Sequence, residues 1–456
     1  MVSIHKDVDS RVKLAVIGMG VRITHMARLM CEADPDVRVV AIADPAGASA
    51  AQRAAAAKLP DAQSIRLYAD VEQLLANAGD FDALLIGTRC HLHAPLAVAV
   101  ARTGLPLFLE KPVAISWAQL SALREAYAGR EDSVVVSFPL RLTAHVQTAV
   151  EILRSGRLGV VNQVQASNNV SYGGVYFGQW YRDYEKTGGL WLQKATHDLD
   201  YVNCLMDAAA PGGAQPIHIA AMHSRTAYGG PMEPNLRCSR CTVTDLCQES
   251  PQNLTLRGSD GGILNYEKPT PQSDHDCAFS RNILHQDAGS AMVMYSNGAH
   301  ASYVQNFLPR QSAGFRGATV IGYGGTLRFD WNGNTVTVID HHRDRVDRIE
   351  VATAGMHAGG DVALAQNFID VVRGRAESRC PLPHGLLSAG MCLAARDAAD
   401  QGRNQPIPHF GRAAVEVNLT PRGPIEPSTS DKSLSLQNSD EASPPFQRAV
   451  PSIPGA

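Results

Sequence analysis

The chain of 456 residues has no apolar run long enough to span a bilayer, which argues against a helical membrane protein. It has little net charge, with 41 Lys and Arg against 44 Asp and Glu. That balance argues against nucleic acid or an anionic membrane as the main partner. The charged start, Met1 to Arg11, lacks an apolar signal-peptide core, so export by that route is not expected. Nine cysteines are an odd number for a disulfide framework, and several stand alone in apolar runs. Reduced thiols in a cytoplasm fit that usage. The length leads us to expect two domains and a large core.

What is present is a strand–helix alternation in the first third. Val12 to Ile17 is a β-branched run followed at once by Gly18-Met19-Gly20-Val21-Arg22, and a helical pattern opens behind it. Strand, glycine turn and helix amino end together make an anion site, because free backbone N–H groups and the helix dipole point at a phosphate. The third glycine of G-x-G-x-x-G is Ile23 here. A second β run, Val37 to Ala43, ends in Asp44, a carboxylate at the spacing that suits a ribose 2′-hydroxyl and repels a 2′-phosphate. NAD is therefore expected over NADP. Further strands read at 82–87, 105–109 and 133–138, separated by helical patterns, which implies a parallel sheet. The run Leu107-Phe108-Leu109 ends in Glu110-Lys111-Pro112, so a lysine is delivered at a strand's carboxyl end, where an open α/β sheet binds its ligand.

These residues, Gly18-x-Gly20-x-Arg22, Asp44, Thr88 with His93 five positions on, and Glu110-Lys111-Pro112, resemble the glucose–fructose oxidoreductase, inositol dehydrogenase and rhizopine catabolism superfamily (Gfo/Idh/MocA). The resemblance covers nearly all of residues 11 to 410. It implies that Gly18, Gly20 and Arg22 hold a pyrophosphate and Asp44 the adenosine ribose. Thr88, His93 and Glu110 would line the nicotinamide ribose, and Lys111 would touch both that ribose and the reacting hydroxyl. Arg141 fits a family position near the cofactor. Arg89-Cys90 stands where the family usually has Pro-Asn.

After residue 140 the pattern changes to a helix at 144–154 and many short β runs, an α+β arrangement around a largely antiparallel open sheet. The expected organisation is a Rossmann domain over 1–140, a substrate and oligomerisation domain over 141–412, a Cys-rich insert at 230–280, and a disordered Pro- and Ser-rich tail at 418–456. On a helix, Gln193, His197 and Asp200 would share one face, as would Lys194 and His197. A histidine backed by carboxylate and amine can accept a proton near neutral pH; an exposed helix face is the plain alternative. The resemblance implies a catalytic histidine at His197, commonly four residues after an aspartate, and that aspartate is Gln193 here. The Lys194-x-x-His197 form is similar to a subgroup of the superfamily rather than to its inositol dehydrogenases, so inositol is not carried over as substrate. Tyr172, Tyr176, Trp180 and Tyr181 could stack on a sugar ring, though core packing is the more frequent fate. His357 and Asp361 resemble the family's His-x-Gly-Gly-Asp return to the substrate pocket.

Cys238, Cys241 and Cys247 form C-x-x-C-x5-C, and Cys277 could complete a structural zinc site, with His275 as another fourth ligand. Disulfides, free thiols or an iron–sulfur cluster are the other readings. The expected function is NAD-dependent oxidation of a sugar, polyol or glycoside hydroxyl, with Lys111 and His197 moving the proton and Lys194 standing in for the missing aspartate. An NAD-dependent glycoside hydrolase using transient oxidation, and a non-catalytic NAD-dependent sensor, are the rivals. The resemblance also implies a homo-oligomer formed through the open sheet.

Overall fold

A computed structural model describes residues 11–210, 213–251, 253, 274–353 and 356–410. The expected tail and much of the Cys-rich insert lie outside these. The described residues all belong to one compact unit.

Six strands, β1 (Val12–Ile17), β2 (Val37–Ala43), β3 (Arg66–Tyr68), β4 (Ala83–Ile86), β5 (Leu107–Leu109) and β6 (Val134–Val136), pair in parallel in the order β3-β2-β1-β4-β5-β6. Their near-continuous apolar runs have a direct cause: helices cover both faces, so Leu14, Val16, Leu84, Leu85 and Phe108 are all fully buried. The helix Trp117–Ala126 starts where Ser116 caps it, its Oγ accepting from Gln119 N at 3.3 Å. This is the doubly wound arrangement, and its order reverses between β1 and β4, which opens a crevice at the carboxyl ends of those strands.

The second sheet has nine strands: β7 (Val161–Asn169), β8 (Pro216–Ser224), β9 (Ala288–Tyr295), β10 (His300–Asn306), β11 (Phe315–Gly322), β12 (Gly325–Asp330), β13 (Thr335–Asp340), β14 (Val346–Glu350) and β15 (Gln405–Pro406). Their order is β14-β13-β12-β11-β7-β10-β9-β8-β15, antiparallel throughout except where β7 meets β10. The helices Thr196–Ala209 and Leu382–Gln401 pack on one face. In β9, Val293 and Tyr295 point into that core while Met292 and Met294 face out, the alternation of a sheet with one side packed. The helix Gly360–Val372 returns to the first sheet's side and lies along the helix Val21–Ala33. That return brings residues from the far end of the sequence to the glycine turn.

Candidate functional site

The carboxyl ends of β1, β2, β4 and β5 present the first half of the site. Gly18 has φ of +79°, and a Cβ there would lie 2.5 Å from Thr88 Cγ2, so only glycine lets these two turns touch. Gly20 precedes the helix Val21–Ala33, whose first turn carries no acidic residue and no side-chain cap. Its amino-terminal N–H groups thus face the crevice as an anion cradle. Asp44 is tied to the same turn, accepting from Met19 N at 2.9 Å and from Ala46 N at 2.8 Å. The place of the third glycine is settled by an exchange: the Ile23 side chain lies where a Cβ on Gly87 would come within 2.4 Å of it. Helix and strand stay close because β4 is followed by the glycine instead.

Arg22 reaches across the crevice. Its Nη1 and Nη2 donate to Asp361 at 2.8 and 2.7 Å, its Nε to Glu110 at 3.2 Å, and Nη2 also to Ser137 Oγ at 3.3 Å. Asp361 also receives His357 Nδ1 at 3.0 Å and stands 3.5 Å from His25 Nε2. Burial would raise the Asp361 carboxyl, but the Arg22 guanidinium and the two imidazoles hold it far below the usual carboxylate range. His93 is buried with Nδ1 2.8 Å from Pro112 O and Nε2 3.1 Å from Thr88 O, fastening the two strand-end turns together.

Lys111 Nζ donates to Gln193 O at 2.7 Å, which joins the strand end to the segment carrying the expected histidine. Burial pulls the Lys111 ammonium down to about 8, and the neighbouring Lys194 charge adds to this. Residues 191–195 form a π-helical turn before the α-helix Thr196–Ala209 begins. The extra residue per turn rotates the side chains away from the α-helical faces that spacing suggests. Lys194 Nζ donates to Tyr172 Oη, and Asp200 turns to Arg141. His197 is buried with no partner on Nδ1, its ring 6.0 Å from that of His357. Burial and then the charges of Lys111, Arg316, His357 and Lys194 drive the His197 pKa well below the ordinary imidazole value, so the ring is neutral. The carboxylate that spacing offered as its backing is not there. Gln193 Oε1 accepts from Cys90 Sγ at 2.8 Å, and burial lifts that thiol to about 12.

Two halves of a known description are now on the page. Residues 12–138 match the family model "Oxidoreductase family, NAD-binding Rossmann fold", and residues 146–235 match "GFO/IDH/MocA C-terminal domain". The chain belongs to the Gfo/Idh/MocA family. It is 27% identical to an inositol 2-dehydrogenase of Rhizobium meliloti over 214 residues, 46% of this chain and 58% of that protein. It is 24% identical to a 2,7-anhydro-N-acetylneuraminate hydratase of Mediterraneibacter gnavus over 221 residues, 47% and 53%. The chain thus spans little more than half the length of these relatives. A levoglucosan dehydrogenase structure in complex with NADH aligns over 87% of this chain and 99% of its own, with a TM-score of 0.67 and 15% identity, a likeness of fold.

Within this Gfo/Idh/MocA chain, other expected residues meet the following partners. Arg141 is buried, with Nε and Nη2 on Asp200 at 2.9 and 2.6 Å and Nη1 2.7 Å from His384 Nδ1. Tyr176 packs in a small second core with Phe177, Tyr228 and Phe307. Trp180 carries the Arg89 guanidinium 3.6 Å above its ring. None of the nine cysteines is in a disulfide. Among the described residues no group of three or more His, Cys, Asp or Glu side chains is arranged to hold a metal ion, so the expected zinc site finds no support there. His275 stands 3.7 Å from Cys238 Sγ, but its two ring nitrogens are engaged by Asp276 O and Glu249 O. Burial, with Cys277 and Cys247 nearby, lifts the Cys238 thiol to about 12, and burial raises that of Cys247. Among the described residues no helix is long and apolar enough to cross a membrane. Arg316 and Ser137 are site residues that sequence reasoning missed; each sits on or beside a strand with no local motif around it.

Proposed function

We propose that this protein is an NAD-dependent oxidoreductase acting on a hydroxyl of a sugar, polyol or glycoside. The observation that carries the reading is the Lys111–Gln193 contact, which sets an amine from the glycine-turn side one helical turn from a neutral imidazole. The residues fit a dinucleotide. Gly18 and Gly20 leave room for a backbone approach to the pyrophosphate, Arg22 offers it a guanidinium, and Asp44 lies where the adenosine ribose would be held. Thr88, His93 and Glu110 form the wall toward the nicotinamide ribose. Bound NAD would supply the hydride acceptor. Lys111 and His197 then orient the substrate hydroxyl beside the path of its proton, and Gln193, Lys194, Tyr172 and Trp180 border the substrate.

The relative named a hydratase favours a second reading in which oxidation is transient and no reducing equivalents accumulate. A carbohydrate and glycoside panel followed for NADH absorbance and released aglycone together separates the two. NADH accumulating with substrate supports net oxidation, and aglycone without NADH supports the redox-neutral route. NAD bound with no turnover across the panel leaves the sensor reading. Lys111→Met is expected to lower turnover by about two orders of magnitude or more. We also assign the outer face of the nine-stranded sheet, with exposed Met222, Met292 and Met294, to contact with a second copy of the chain. Light scattering on the wild type and on Met292→Asp tests this, the variant being expected to dissociate.

A further inference from the structure

Tyr172 is the polar group of this cleft whose chemistry the reading above leaves unused. It lies just past β7, with its ring 6.2 Å from that of Tyr176. Lys194 Nζ donates to its hydroxyl and lies 4.6 Å from its ring centroid and 5.9 Å from that of Tyr176. Arg316, from β11, and Lys111, from the strand end, also bear on the phenol. No carboxylate among the described residues pairs with Lys111 or Lys194. The one nearest Lys194 in sequence, Asp198, is taken by Arg316 Nε at 2.7 Å, Asn168 Nδ2 at 2.9 Å and Tyr303 Oη at 2.9 Å. Two ammonium groups thus face a phenol; Glu110, the carboxylate that bears on Lys111, is itself paired with Arg22.

We propose that Tyr172, held by Lys194, is the group that takes the hydroxyl proton of the substrate. The proposal rests on the nicotinamide reading given above. The substrate O–H bond breaks and a new O–H bond forms on the phenolate oxygen. The electron pair left on the substrate oxygen becomes the second C–O bond, while the C–H pair leaves to the oxidised nicotinamide. The phenol returns its proton to solvent before the next turnover. Atoms and electrons balance with no reactant beyond substrate and NAD.

The electrostatics separate the two candidates for this role. Burial by itself raises the Tyr172 phenol, but Lys194, then Arg316, then Lys111 overcome it and pull the group below the ordinary tyrosine value. Around His197 cations act the other way, because a protonated imidazole among them would add like charge to like. A site that favours an anion at one oxygen and disfavours a cation at one nitrogen routes the proton to the oxygen. Lys194 is then a positioning residue, and its place in the family's missing Asp–His pair is explained without contact to His197.

The test is a titration of the full chain by tyrosinate absorbance, run beside NAD binding and turnover. In the wild type one tyrosine should ionise below the ordinary value of about 10. Tyr172→Phe should remove that one, and Lys194→Met should move it above the ordinary value. On a substrate found in the panel, Tyr172→Phe should lower turnover about 100-fold or more while NAD affinity stays within a few fold. The proposal is overturned if no tyrosine titrates early, or if Tyr172→Phe turns over with an unchanged pH profile. Failure of NAD to bind overturns the nicotinamide reading and this step with it. Intact NAD-dependent turnover with an ordinary tyrosine titration overturns this step alone.

Discussion

Lys111 and Tyr172 are coupled, since each lies in the field of the other. With Lys111 pulled down to about 8, activity should rise with pH through that value as the pair sheds its first proton. No limb should appear near the ordinary imidazole value of about 6.5, because His197 is already neutral there. A kcat/KM profile against pH checks both statements. Gln193→Asp sharpens the test. A carboxylate so near the Lys111 amine favours its charged form, so the limb should move to higher pH. The same substitution places a charge against the buried Cys90 thiol, which the present amide oxygen accepts as a hydrogen bond at 2.8 Å. Gln193 is thus matched to Cys90 by that hydrogen bond.

Among elements, the fit between the helix Val21–Ala33 and β4 illustrates how an apparent defect is repaired. Gly87→Ala would drive a Cβ into Ile23 at 2.4 Å, an overpacking expected to cost about 1–3 kcal/mol. Adding Ile23→Ala should recover part of that loss, measurable as a double-mutant cycle in denaturant midpoints. The sequence shows the isoleucine where a glycine belongs but not the compensating glycine, since 64 positions separate them and only the β1–β4 pairing brings them together. The same distinction governs what else could be read. Parallel strands announce themselves because both faces are buried and their runs are continuous, as in Ala83–Ile86 and Leu107–Leu109. Arg66–Tyr68 is too short and too exposed to show a pattern, and Val346–Glu350 carries Val and Ile three apart on an exposed edge. Polar spacing over 191–200 does not reveal the π turn at Trp191–Ala195, so the structure directs Lys194 to Tyr172. Lys111, Lys194 and His197 were legible as types in a pattern; Arg316 and Asp198 were not, because their pairing is made by the sheet's topology.

In the molecule as a whole, a buried carboxylate ties the late helix Gly360–Val372 to the first sheet's side, beside the Arg373–Asp34 pair and the Phe108–Phe368 contact. Asp361 has a side chain 1% exposed and receives two nitrogens of Arg22. Asp361→Asn should destabilise the protein by about 3–5 kcal/mol, because a guanidinium is left facing a neutral amide. Its folded carboxyl lies far below the unfolded value of about 3.9. Its contribution is therefore complete above that value and fades only as the solution becomes strongly acid. Melting temperatures of the wild type and Asp361→Asn across neutral to acid pH should converge at the acid end.

That clasp has a consequence for binding. The guanidinium expected to meet a phosphate is already gripped by a residue 339 positions away along the chain, and the same residue steadies His357 beside His197. On the proposed function, an incoming phosphate must share or take over that grip, so cofactor binding would bear on His357 as well. On that reading, such a shared contact couples the two ligands, so that each should change the affinity for the other by the same factor.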